Sequence, residues 1–205
     1  MPSPSLLLRL APALNWHDMD LFVLAGMPVP DEFTPLDAEA GSWAASLVNQ
    51  AVCLRLELIE RVRRLARSLP QQPRTRPFPP PKPYEQYEPS FGAMLVRMLA
   101  NRNLNWTDAA KTLLCLTGLG LSPVTIGQIG RGRKELSPDL LARLATVLGI
   151  PAGDLAAVTG IDLPEELPPA HPAVAELAGL IWDVRRLTAD QVRQLRDEAE
   201  SLQRE

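Results

Sequence analysis

The residues best placed to do chemistry lie between Ser122 and Lys134. Ser122 to Gly130 reads S-P-V-T-I-G-Q-I-G, and Arg131-Gly132-Arg133-Lys134 follows. Ser122 is a good N-cap, because its hydroxyl can accept a backbone N–H of the first turn. Pro123 then loses nothing at the first helical position. Ile126 and Ile129 share one face, and Thr125 and Gln128 share another. A short helix with one apolar and one polar face, leaving into a basic glycine turn, suits a segment laid against a phosphate backbone. The same residues also describe a short amphipathic core helix with a basic surface loop. On this stretch alone both readings stand.

Other chemistry finds little support. Cys53 and Cys115 have no C-x-x-C spacing, and His17 and His171 are far apart, so no metal ligand set and no cofactor is expected. Both cysteines fall in amphipathic patterns and read as buried, reduced thiols; both histidines read as ordinary surface or capping residues. R-G-R-K-E-L lacks the P-loop spacing and no strand precedes it. No Cys/His or Ser/His pairing suggests a nucleophile, so the chain does not read as an enzyme. No apolar run reaches membrane-spanning length. Ser5 to Leu14 lacks the basic start and cleavage site of a signal peptide, so the expected location is cytoplasmic.

Helical patterns surround the basic turn. Phe91–Ala100 and Thr107–Leu116 read as helices, the second capped by Asn105 or Thr107. Gly118, Gly120 and Leu121 make the turn into Ser122. Ser137-Pro138-Asp139 caps a fourth helix stopped by Gly149, and Pro151 and Asp154 open a fifth stopped by Gly160. These residues resemble the lambda-repressor-like (XRE-type) helix-turn-helix family over about residues 91–160. The matching pieces are L-S-P-V-T-I-G-Q-I, G-R-G-R-K and L-S-P-D-L-L-A-R-L-A-T-V-L-G-I-P-A-G-D-L. The resemblance implies a five-helix domain that binds double-stranded DNA. Ser122 and Thr125 would contact phosphates, Gln128 would read an adenine edge, Val124 would touch a thymine methyl, and Arg131, Arg133 and Lys134 would hold the backbone. The chain departs from the family in three respects. The matching outward positions Pro123, Val124, Gly127 and Gln128 carry one bidentate reader. Gly130 stands where an acidic residue is common. The turn Leu116–Leu121 is a few residues longer.

The rest of the chain sets the frame. It has 205 residues, 46% of them hydrophobic and 5% aromatic, so the core rests on Leu, Val, Ile and Ala. Arginine and alanine usage hints at a GC-rich bacterial genome. The expected class is all-α, in four units. Residues 1–69 form a helical N-terminal domain, 70–90 a proline-rich linker, 91–160 the helix-turn-helix domain, and 161–205 an acidic C-terminal helical extension. Their formal charges are −2, +1, +3 and −5, so the helix-turn-helix is the basic block.

In the first unit, Asp20–Ala25 is a short helix ended by Gly26, and Asp37–Leu69 is one long helix or two. Leu47, Leu54, Leu58, Val62, Leu65 and Leu69 form a stripe that packs inside its own domain or makes a homodimer. Arg61, Arg63, Arg64 and Arg67 read as a solvated face. At an offset of 134 residues, Asp20-Leu21…Gly26 lies over Asp154-Leu155…Gly160. Pro30, Glu32, Pro35 and Ala44 lie over Pro164, Glu166, Pro169 and Ala178. An internal repeat is the inference, the first copy holding the tail of a helix-turn-helix module and the two copies pairing within or between chains. The prolines of 70–89 favour extended polyproline II. Ala173–Arg186 and a helix from Thr188 are expected as a hairpin anchored by Trp182. The function expected is transcriptional regulation by a dimer. The competing expectation is a protein-interaction adaptor or antitoxin-like protein that meets its partner through 1–69 or 161–205.

Overall fold

The computed structural model describes residues 2–204, all helix and connection with no strand. Helix starts follow the capping chemistry of the sequence. Ser3, Ser90, Asn105, Ser122, Ser137 and Thr188 each accept a backbone N–H of the turn they open. They begin α1 (Pro4–Leu14), α5 (Phe91–Asn101), α6 (Trp106–Thr117), α7 (Pro123–Gly130), α8 (Pro138–Leu148) and α11 (Ala189–Leu202). The others are α2 (Asp18–Leu24), α3 (Ala40–Ala51), α4 (Leu56–Ser68), α9 (Ala152–Thr159) and α10 (Val174–Val184). Asn15, Gly118, Gly149 and Gly160 end α1, α6, α8 and α9 in the left-handed region. The run Ser5–Leu14, assigned no element from its sequence, is α1. The 37–69 pattern resolves into two helices broken at Val52–Arg55, where Leu54 turns into the core.

The internal repeat is wider than the sequence comparison suggested. Advanced by 134 residues, α1 falls on α8 and α2 on α9. Ser3 meets Ser137, Pro4 meets Pro138, and the left-handed ends Asn15 and Gly149 coincide. Beyond the connection the best offset is 133. Ala44, Ala45, Leu47, Val48 and Ala51 of α3 then lie over Leu177, Ala178, Leu180, Ile181 and Val184 of α10, all buried. Ile59, Val62 and Ala66 of α4 lie over Val192, Leu195 and Ala199 of α11, also buried. Ala44 therefore corresponds to Leu177, not Ala178, because the second connection is one residue shorter.

The two copies interlock. The main contacts run crosswise, α11 along α3 and α10 along α4, rather than within the α10–α11 hairpin expected from sequence. Each amphipathic pair exposes a stripe that only the other copy covers. Most of the stripe read as a possible dimer surface is used here: Leu47, Leu54 and Val62 are buried, and Leu65 stays exposed. Polar ties repeat the crossing. The Asp37 carboxylate accepts the Ala189 N–H at 2.8 Å, and the Trp16 indole N–H donates to Asp154 at 2.9 Å. The basic face of α4 is paired: Arg63 and Arg67 each reach Asp183 at 2.9 Å, Arg63 also reaches Glu176, and Arg61 reaches Glu198 at 3.3 Å. One continuous apolar core runs from Leu7 to Leu202 across the sequence units.

At its centre Arg102 and Asp20 form a fully buried ion pair, with contacts of 3.0 and 2.7 Å. Arg102 also donates to the carbonyls of Met98, at 2.8 Å, and Leu148. Beside it His17 stacks on Trp182, centroids 3.5 Å apart and planes 8° from parallel. His17 is thus no ordinary surface residue, and Trp182 anchors the two copies to each other rather than α10 to α11. His171 does act locally, its Nδ1 accepting the Ala173 N–H. Cys53 is exposed past the end of α3 and Cys115 is half-buried, which corrects the expectation that both thiols are buried.

Two outcomes are expected. Arg102→Met leaves the Asp20 carboxylate buried and unpaired and should cost about 3–5 kcal/mol in urea unfolding, much of it recovered in Asp20→Leu/Arg102→Met. Burial, then Arg102 and Arg185, lower the His17 pKa from 6.5 to about 4 against the opposing pull of Asp20. The unfolded chain therefore takes up a proton that the folded chain refuses, and stability should fall as pH drops from about 6.5 to about 4. His17→Phe, which keeps the stacking, should flatten that slope.

Candidate nucleic-acid interface

Helix α7 is positioned by close backbone contact. A Cβ on Gly92 of α5 would lie 2.0 Å from the Ile129 carbonyl oxygen, so α5 and α7 can approach this closely only with glycine. Ile126 and Ile129 fill the core between α5 and α6. Arg143 of α8 donates to the Thr117 carbonyl and holds the end of α6. Ser122 caps α7 through the Thr125 N–H at 3.2 Å, and the Ser122 and Thr125 hydroxyls lie 2.9 Å apart.

The outward face of α7 is narrower than its sequence suggested. Ser122, Val124 and Gln128 are exposed, and Thr125 and Arg131 are half-exposed. Val124, Gln128 and Arg131 stand at i, i+4 and i+7 on one ridge. Gly127, expected outward, is buried: its Cβ would meet the Trp106 ring at 2.5 Å. Gly130 is buried against Tyr87, whose ring lies 2.7 Å from a built Cβ. Glycine at these two positions thus has a packing cause.

Sequence reasoning missed the aromatic cover itself. The proline-rich segment, expected as an extended linker, is fastened at both ends. Near its start Pro70 accepts from Gln191 at 2.9 Å, and Arg74 donates to Thr34 Oγ1 at 2.9 Å. At its end a short turn, Pro83–Glu85, and the buried Tyr87 lie on α7. The Trp106 indole donates to the Tyr87 hydroxyl at 2.8 Å, Tyr84 meets Trp106 edge-on, and Arg97 donates to the Tyr87 carbonyl at 3.1 Å. Burial pushes the Tyr87 phenol above its ordinary range. Aromatic residues inside a proline-rich stretch, facing a helix with glycines three apart, were the available signal.

The expected site residues lie on α7 and the turn beyond it, in two conditions. Arg133 and Lys134 are exposed, with no side-chain hydrogen bond or ion pair among the described residues. Their backbone N–H groups both return to the Gln128 carbonyl, at 2.8 and 3.2 Å, and Gly132 takes the left-handed conformation this requires. Arg131 is partly engaged: its guanidinium lies 5.2 Å from the Trp106 ring centre and donates to the Tyr84 carbonyl at 2.8 Å.

No family model, curated protein or solved structure matches this chain. The likeness to XRE-type helix-turn-helix proteins rests on the residues quoted above. Among the described residues no group of histidine, cysteine and carboxylate side chains could hold a metal, and no helix is long and apolar enough to cross a membrane.

Gly127→Ala should force Trp106 aside and cost about 1–3 kcal/mol in urea unfolding. Combined with Trp106→Leu it should cost less than the sum of the two single changes, since the residues touch.

Proposed function

We propose that this chain is a DNA-binding transcriptional regulator whose reading head is α5–α9. The observation that carries the reading is the outward ridge Val124–Gln128–Arg131, continued by the unpaired cations Arg133 and Lys134 where α7 ends. A helix with this exposure can enter a major groove while the turn beyond it meets phosphates. Gln128 offers the paired donor and acceptor that match adenine, and Val124 offers a methyl contact to thymine. Ser122, Thr125, Arg131, Arg133 and Lys134 contact the sugar-phosphate backbone, which sets position without specifying sequence. The head contributes +3 of formal charge in a chain of net −3. In this reading the paired tails take the place of the homodimer expected from sequence, and one chain carries one head to one site.

A second reading is favoured by the cover on α7. With Gly127 and Gly130 under Trp106 and Tyr87, one amide side chain is left to read bases. A protein-interaction adaptor, including an antitoxin-like one, would keep such a head for its shape.

Fluorescence anisotropy of the full chain against sheared genomic DNA and a random duplex, across a salt series, separates the two. The regulator should prefer particular fragments and bind more tightly at low salt. Gln128→Ala should weaken the preferred site by about 1–3 kcal/mol and leave random duplex unchanged. Arg133→Ala should weaken both alike and reduce the salt slope by about one unit. Absence of binding to either DNA at low salt would rule out the regulator and leave the adaptor.

A further inference from the structure

We propose that the hollow where the end of α10 meets the end of α4 binds a small phosphate-type oxyanion through Arg185 and Arg186. The hollow has a volume of about 250 Å³, several times that of a water molecule, and Arg67, Gln71, Trp182, Asp183, Arg185 and Arg186 line it. None of its residues belongs to α5–α9, and the site stands whether or not those helices bind nucleic acid.

Charge carries the assignment. Arg63 and Arg67 are matched by Asp183 and Glu176. Arg102 is matched by Asp20. Arg185 and Arg186 have no carboxylate within ion-pair distance among the described residues. Arg185 is only 7% exposed, yet its one hydrogen bond goes to the Met19 sulfur at 3.0 Å, a weak acceptor, and its Nε is buried without a partner. Burying a guanidinium is costly unless an anion or strong acceptors meet it. Burial, Arg186 and Arg102 bring its pKa down to about 10, against the pull of Asp20 and Asp18. Arg185 is thus a buried cation with neither a carboxylate nor a strong acceptor of its own, while the Asp183 carboxylate that also lines the hollow is taken up by Arg63 and Arg67.

Packing holds the cation ready. The Arg185 guanidinium lies 3.7 Å from the centre of the Trp182 ring, and His17 stacks at 3.5 Å, so the two occupy opposite faces of the indole. Arg186 is tied to the Glu32 carbonyl and to Gln71 Oε1, which leaves the Gln71 amide N–H groups as donors. Two adjacent cations and an amide suit a compact dianion with several oxygens better than a single carboxylate. The walls come from both copies and from the first residues of the strap, so an occupant would join all three.

The test is a thermal-melt titration of the full chain with inorganic phosphate, against chloride and acetate at matched ionic strength, repeated with glycerol phosphate. Phosphate should raise the midpoint and the other two anions should not. Arg185→Met, which keeps the aliphatic packing on Trp182, and Arg186→Met should each weaken the response about tenfold or more. Arg133→Ala/Lys134→Ala, in the exposed basic turn, should leave it intact. A stronger response to glycerol phosphate assigns the site to a phosphomonoester, and a weaker one to free phosphate. No phosphate effect beyond chloride, with Arg185→Met melting above the native chain, would overturn the proposal and make Arg185 a structural clamp. Should Arg185→Met not fold, an undiminished response in both Arg186→Met and Gln71→Ala would overturn it equally.

Discussion

The buried pair of Arg102 and Asp20 ties together three parts of the chain that sequence places far apart. Asp20 lies in α2, Arg102 directly follows α5, and the Leu148 carbonyl that Arg102 also meets ends α8. A charge taken wholly out of water is tolerated only beside an opposite charge and with most of its hydrogen bonds met, here all but that of the Arg102 Nε, and that demand admits few arrangements of the surrounding helices. The pair is thus a constraint on geometry more than a source of stability. It constrains how α2, α5 and α8 meet. Trp182, with a cation 5.2 Å away at Arg102 and another at Arg185, extends the same constraint to α10.

Around that point the duplicated tails form the platform. An amphipathic pair such as α3–α4 buries one face of each helix at best, and neither pair is long enough to be stable by itself. Crosswise pairing covers both stripes at once. The small side chains Ala40, Ala44, Ala45 and Ala51 on α3 allow α11 to lie close along it. The apolar stripe that suggests dimerisation is real in chemical terms, but most of its partner surface is supplied from within the same chain. The crossing also leaves the hollow in which Arg185 and Arg186 face each other's charge.

The candidate interface shows how far its residues could be read beforehand. The cap at Ser122, the start at Pro123, the buried Ile126 and Ile129, and the stop at Gly130 are local matters of capping and period, and they are in place. The exposure of Gln128 follows from the same period, and that of Arg133 and Lys134 from their charge in the turn beyond the helix. The fate of Gly127 and Gly130 does not. A glycine in a helix looks like an empty position until the neighbour that needs the space is known, and here the neighbours are Trp106, at the start of α6, and Tyr87, in a proline-rich strap. Polyproline stretches are extended wherever they go, so extension alone gave no sign of where the strap would land.

Local chemistry in the sequence therefore determined the helical class, most helix boundaries, the basic turn after α7 and the existence of a repeat. These depend on hydrogen bonds and spacings within a few residues, or on likeness between two stretches. Only the tertiary structure decided which helices pair, that the two tails exchange partners, that the strap covers α7, and that His17, Trp182, Arg102 and Arg185 stack in one cluster. Apart from the Trp182–Arg185 stack, each of these is a contact between residues tens of positions apart, made favourable by burying surface that several different partners would have buried nearly as well. Apolar burial is non-directional, so a pattern of stripes states that a face must be covered without stating by what.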